Sequence, residues 1–334
     1  MQPLTIAVSD YETDIARAIF KGLQDAGVSV SDIIPLSSEA SQYDTASFME
    51  QDFPVVPIKS FDFKTADAVL ICGESADSRE SLDLAVKAGT PTLDLMNYPA
   101  GKDLSGLFKK GDHPGDDFWN PAVTPVYYPA DSGAMLLLDT LKPVTAAGLL
   151  ESAAVTLMES ASGLRSGGAM DLGRETASVL NLRPVSSEIF STQLAFNIHT
   201  AIGDLFPDGS TSREAGIIDE LKALLPDLPA LSLTSVLMPV FHGYLASITL
   251  KLAKDTVKAD LEKLLAVPGS TRFLSEDEGE LTPVPLARDE PEILISRLRM
   301  TDARTCSFLA LSDNDGHGMA ANACELLRLL AGGK

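Results

Sequence analysis

The chain has 334 residues, 45% of them hydrophobic, and a formal net charge of −21. That charge argues against nucleic acid and anionic membranes as partners, and no apolar run reaches the roughly 18 residues a spanning helix needs. The length predicts two domains and a sizeable core. The start, Met-Gln-Pro-Leu-Thr, has no basic stretch leading into an apolar one, so no signal peptide is expected. Cys72, Cys306 and Cys324 lie in apolar runs, which fits reduced, buried thiols in a cytoplasmic protein. His113, His199, His242 and His317 have no metal-ligand spacing, so no metal site is expected.

In chain order, Leu4 to Val8 reads as a buried first strand. Asp14 to Gly27 reads as an amphipathic helix, with Ile15, Ala18, Ile19 and Leu23 at helical spacing. A strand, a turn and a helix at the start of a chain form the usual seat of a dinucleotide. That turn needs glycines for close backbone approach to the pyrophosphate, and here it reads Ser9-Asp10-Tyr11-Glu12-Thr13-Asp14. Three carboxylates crowd the position, one of them expected to cap the helix. Neither phosphate binding nor a dinucleotide cofactor is expected at this turn.

Val69 to Cys72, Thr92 to Leu95 and Thr124 to Tyr128 read as further strands, with a helix from Ser78 to Ala88 closed by Gly89. Residues 100–121 read as loop. The alternation predicts a Rossmann-like, doubly wound parallel sheet. The character then changes. A helix from Ser132 to Leu141 precedes a long strand, Ser152 to Met158, and a helix from Ala169 to Leu180. Strand-like runs follow at Ser232 to Val240, Leu245 to Leu252, Ile293 to Leu298 and Cys306 to Leu311, before a last helix, Gly318 to Leu330. This predicts an α+β domain with a largely antiparallel sheet. The expected division is 1–129 with 313–334 as the degenerate dinucleotide domain, and 130–312 as the second.

Several stretches, in order along nearly the whole chain, resemble the aspartate-semialdehyde dehydrogenase family. Gln193-Leu194-Ala195-Phe196-Asn197 is similar to its Gln-Ile-Ala-Phe-Asn, and Met238-Pro239-Val240-Phe241-His242-Gly243 to its Val-Pro-Val-x-x-Gly. Leu281-Thr282-Pro283 followed by Ile295-Ser296-Arg297-Leu298-Arg299 resembles its Thr-Pro and Val-Gly-Arg-Ile-Arg. Leu141-Lys142-Pro143 and Leu311-Ser312-Asp313-Asn314, with Asn314 retained, match two more segments. The resemblance implies a Rossmann-type domain, a second domain that forms a homodimer, and a cysteine thiolate that attacks an aldehyde. In that chemistry NADP accepts hydride and phosphate releases the acyl group.

Position by position, the machinery the resemblance implies is absent. Asn-Cys-Ser-Thr reads Ala130-Asp131-Ser132-Gly133, so Asp131 stands for the cysteine and is expected to cap a helix. The orienting glutamine is Glu159, the substrate-binding arginine is Leu237 and the histidine base is Tyr244. His242, two residues before Tyr244, is expected on the same strand face. The lysine of Glu-Glu-x-Lys is Gly216, in Arg213-Glu214-Ala215-Gly216, and the phosphate-binding arginine falls near Ala100. The family glycines fall at Ser9, Glu12 and Ile15. A branch of the family, the USG-1-like proteins, also carries Asp-Ser where the cysteine belongs. The reading is therefore a non-catalytic, dimeric scaffold or binding protein. The alternatives are an ordinary family oxidoreductase, or an enzyme using Asp131, Glu159 and Tyr244 as a carboxylate nucleophile or acid–base set.

Overall fold

A computed structural model describes residues 2–41, 43–95, 104–112, 116–120, 122–164, 167–283, 292–314 and 318–332. Ala100, His113 and His317 lie outside them. The chain forms two compact units, the first from 1–97, 103–130 and 319–334, the second from 131–318.

The first unit begins with β1 (Leu4–Ser9), α1 (Asp14–Asp25), β2 (Val30–Ser37), β3 (Thr45–Phe48), β4 (Gln51–Pro54) and β5 (Val56–Pro57). It continues with β6 (Ala68–Ile71), α2 (Ala76–Ala88), β7 (Thr92–Asp94), β8 (Leu107–Phe108) and β9 (Tyr128–Pro129). Five strands make one parallel sheet in the order β5-β2-β1-β6-β7. The chain starts in the middle, winds outward through β2, then returns to the other side of β1 with β6. That reversal puts the topological switch point between β1 and β6, where ligands of such sheets bind beyond the carboxyl ends of the strands.

β1 and β6 are buried on both faces, as continuous apolar strands of a covered parallel sheet should be. One face packs Ile6, Val8 and Leu70 under Ile19, Phe20 and Leu23 of α1 and under Ala323, Leu326 and Leu327 of the C-terminal helix, Met319–Leu330. The other packs Ala7, Val69 and Ile71 with Ala85 of α2. One strand here was not expected, and one expectation shifts. β2, Val-Ser-Asp-Ile-Ile-Pro-Leu-Ser, gave no clear periodic signal because its first half is exposed and polar. The strand expected at 124–128 shrinks to a bridge at Tyr127, opposite Leu93, and the two residues of β9.

The second unit contains α3 (Ser132–Ala146), β10 (Leu150–Glu159), α4 (Ala161–Leu164), α5 (Gly168–Leu180) and α6 (Ser212–Leu224). It continues with β11 (Ala230–Leu237), β12 (Tyr244–Leu252), α7 (Lys258–Leu265), β13 (Thr271–Phe273), β14 (Ile293–Asp302) and β15 (Thr305–Ser312). Six strands form one sheet in the order β11-β10-β12-β15-β14-β13. It is mixed: β10 with β11 and β13 with β14 are parallel, and the other pairs antiparallel.

Strands β10 and β12 alternate buried and exposed positions, so one face carries the core under the helices and the other faces outward. The outward face is unusual for so acidic a chain. Ala154 and Thr156 of β10 lie opposite Ser232 and Thr234 of β11 on one side, and opposite Thr249 and Ser247 of β12 on the other. All six residues are exposed, small and uncharged.

Candidate functional site

Asp131 precedes α3 in extended backbone, φ −65° and ψ 147°, and its Oδ1 accepts hydrogen bonds from Gly133 N at 2.8 Å and Ala134 N at 3.2 Å. It is an N-cap, as expected, satisfying two amides that the first helical turn leaves without intrahelical partners. Glu159 ends β10 and is fully buried. Two acids brought together in a buried site would repel each other. The structure instead places a cation between them.

That cation is Arg213, in the first turn of α6 and 1% exposed. Its Nη2 lies 2.9 Å from Asp131 Oδ1 and 2.6 Å from Glu159 Oε2, and its Nε donates at 3.0 Å to both Glu159 oxygens. Ser235 Oγ donates to Glu159 Oε1. Gly133 leaves the room, since a Cβ there would sit 3.3 Å from Arg213 Nη2. A positive side chain in the first turn of a helix opposes the helix dipole, so Arg213 belongs there because of its acidic partners.

Seven residues further along α6, on the same helical face, Glu220 accepts a hydrogen bond from Asp131 N at 2.9 Å. Burial, and then the neighbouring Asp131 charge, push the Glu220 carboxyl up to about 8. Near neutrality it therefore keeps its proton, leaving two carboxylates around one guanidinium. The cluster is dry: Asp131 and Glu220 are 3% and 4% exposed. Glu214, beside Arg213, completes a capping box with Thr211 and accepts from Ser235 N, which pins α6 to β11.

The remaining positions are structural in their contacts. Tyr244 is buried at the start of β12, with its hydroxyl close over Gly163, where a Cβ would lie 1.9 Å away. His242 does not share its face. It precedes the strand and is exposed, because Gly243 turns the backbone with φ +91° before β12 begins. Leu237 is buried and exchanges two backbone hydrogen bonds with His199, at 2.9 and 3.1 Å. Gly216 is buried inside α6. Asn314 Oδ1 accepts from Gly243 N and from Ser160 Oγ, and its Nδ2 donates to Ser162 Oγ. Among the described residues no group of three His, Cys, Asp or Glu could hold a metal ion, and no helix is long and apolar enough to cross a membrane.

In the first unit, Thr13 caps α1, its Oγ1 accepting from Ala16 N at 3.3 Å. This corrects the expectation that an acid would do so. Glu12 is exposed, Ile15 half-buried, and Ser9 buried with its hydroxyl 2.8 Å from Ser78 Oγ. Asp10 sits in the left-handed region, φ 48°, and turns its carboxylate across the switch point. Its Oδ2 accepts from Ser75 N at 3.2 Å and Ser78 Oγ at 2.9 Å, at the N-terminus of α2.

A protein-family model, the semialdehyde dehydrogenase dimerisation domain, matches residues 141–315. The chain belongs to the semialdehyde dehydrogenase family. Curated relatives include a USG-1 protein homolog of Pseudomonas aeruginosa, 26% identical over 98% of both chains. An aspartate-semialdehyde dehydrogenase of Legionella pneumophila is 24% identical over 98% of this chain and 95% of its own. Among solved structures, a probable aspartate-semialdehyde dehydrogenase from P. aeruginosa superposes with a TM-score of 0.78 at 25% identity, covering 98% of both chains. Aspartate semialdehyde dehydrogenase II of Vibrio cholerae, solved with ASA, superposes with a TM-score of 0.81 at 21% identity, over 99% of this chain and 98% of that one.

These relatives overturn the expectation that no cofactor binds. Full-length matches to dehydrogenases imply a hydride acceptor, NADP in this family. The side chains of the turn disfavour a phosphate, whereas a dinucleotide seat is made largely of strand order, helix N-termini and backbone amides. Those parts are present. The sheet order puts the crevice beyond β1 and β6, Gly73 leaves a cradle there that a Cβ would fill, and the Asp10 carboxylate stands in it as an anion. Gly73, Ser75 N and Ser78 Oγ are chemically fit to hold a phosphate of NADP, which when bound accepts hydride.

Proposed function

We propose that this member of the family does not perform the cysteine-dependent oxidation of an aldehyde, and acts as a dimeric binding or scaffold protein on the dehydrogenase fold. The observation that carries this reading is Arg213. It fills the space between Asp131 and Glu159 and is bonded to both, the residues that the family resemblance sets at the nucleophile and the orienting glutamine. A carboxylate cannot store oxidation energy as a thioester. A guanidinium held by two carboxylates and 1% exposed is committed to those partners and closed off from an incoming substrate. The same burial disfavours an acid–base role for Asp131, Glu159 or Tyr244. Division of labour follows the family: the first unit holds NADP, the second pairs two copies.

Homodimerisation is supported by the dimerisation-domain match across 141–315 and by the outward face of the second sheet. In a chain of charge −21, a continuous uncharged patch is a surface on which two copies can meet without like-charge repulsion. The function is tested by assaying the wild-type protein and Asp131→Cys with aspartate semialdehyde, NADP and phosphate. Neither is expected to turn over, because restoring the thiol restores neither base nor open pocket. Reduction of NADP that depends on the aldehyde in either protein refutes the reading.

A further inference from the structure

We propose that the Asp10 carboxylate is an internal occupant of a phosphate seat, which it must leave when a phosphate-bearing ligand binds. The seat lies at the carboxyl ends of β1 and β6, the switch point of the first sheet. Its donors are Ser75 N and Ser78 Oγ, both bonded to Asp10 Oδ2 at 3.2 and 2.9 Å. Its floor is Gly73, where an added Cβ would fall 1.9 Å from that same oxygen. Three features suited to a phosphate oxygen thus converge on one oxygen of the chain itself: a helix N-terminus, a hydroxyl and a glycine floor.

The backbone shows that this placement is built in. Asp10 adopts φ 48°, a conformation uncommon outside glycine and tolerated by Asp and Asn. It aims the side chain across the crevice rather than out to water. The seat also opens into free space. Gly73 and Ser78 line a cavity of about 150 Å³ with Ile71, Leu82, Arg79, Glu74 and Asp94, so a larger ligand has room beyond the seat, on a wall that carries one cation and two acids.

Two anions cannot share these donors. A tethered carboxylate competes at high effective concentration, and ligand affinity falls by the fraction of molecules whose seat is open. Asp10 therefore lowers phosphate affinity without abolishing it. That the ligand is a dinucleotide rests on the reading above; that a phosphate replaces Asp10 does not.

The test uses calorimetry on the full chain with two probes, NADP and inorganic pyrophosphate. Asp10→Gly tolerates the backbone angle and empties the seat, while Asp10→Asn keeps the shape without the charge. Asp10→Gly is expected to bind both probes at least about tenfold more tightly than wild type, and Asp10→Asn to gain less. Adding Ser78→Ala to Asp10→Gly should cancel most of the gain. A gain for pyrophosphate alone sustains the seat and removes the dinucleotide. Unchanged affinity for both probes in Asp10→Gly and Asp10→Asn, each folded by circular dichroism and melting, overturns the proposal.

Discussion

Arg213 is held by two carboxylates in a dry site, so its removal leaves buried charge rather than a simple gap. Arg213→Met is expected to lower stability by about 3–5 kcal/mol, read from urea unfolding. Combining it with Asp131→Asn and Glu159→Gln, which neutralise the partners, should recover a large part of that loss; a triple variant as unstable as the single would sink the charge argument. Glu220 adds a pH dependence. Its ordinary value is 4.5 and its folded value about 8, so the native state binds a proton that the unfolded chain releases. Its contribution is therefore fully present below about pH 4.5 and is lost as pH rises toward 8, at up to about 1.4 kcal/mol per pH unit. Glu220→Gln should flatten stability against pH across that window. An unchanged slope would show that Glu220 ionises normally.

Helix caps separate similar-looking sequence signals. Before α1, one of the acids Asp10, Glu12 and Asp14 was expected to cap, yet it is Thr13 that lies in the extended conformation with its oxygen on Ala16 N. Thr13→Ala is expected to cost about 1 kcal/mol. Asp14→Ala removes only an exposed contact to Arg17 and should stay within about 0.5 kcal/mol of wild type. Equal losses in thermal melts would contradict the cap assignment. Before α3, by contrast, Asp131 is the cap that was expected, with its oxygen on Gly133 N and Ala134 N.

For the whole molecule, the proposed dimer is expected to form on the outward sheet face. Sedimentation at micromolar protein should give twice the mass of one chain. Thr156→Lys places a charge in the centre of the uncharged patch, next to Thr234 and Ser247 in the strand register. It should shift the protein to monomer with little change in the fold of either unit. A variant that remains a dimer would move the interface off this face.

The sequence by itself determined the elements whose signal is periodic and local. These are the buried strand at 4–8, the long β10 and β12, the capped α2 and α3, and the α/β then α+β order that carries the family resemblance. Through the resemblance it also singled out Asp131, Glu159, Leu237, Tyr244 and Gly216 as the positions that match the family's site. The tertiary structure alone decided what those alterations amount to. Arg213 is 54 residues from Glu159 and 82 from Asp131, and pairing at that separation leaves no periodic trace; the only local hint was a cation in a first helical turn, where the dipole disfavours it. His242 parted from Tyr244 because the left-handed Gly243 turns the backbone between them, so the strand begins at Tyr244 and leaves His242 before it. Asp10 meets Ser75 and Ser78 only because parallel pairing brings the ends of β1 and β6 side by side. Short-range periodicity writes strands and helices into a sequence, but a charge finds its partner through the packing of elements, which no local pattern records.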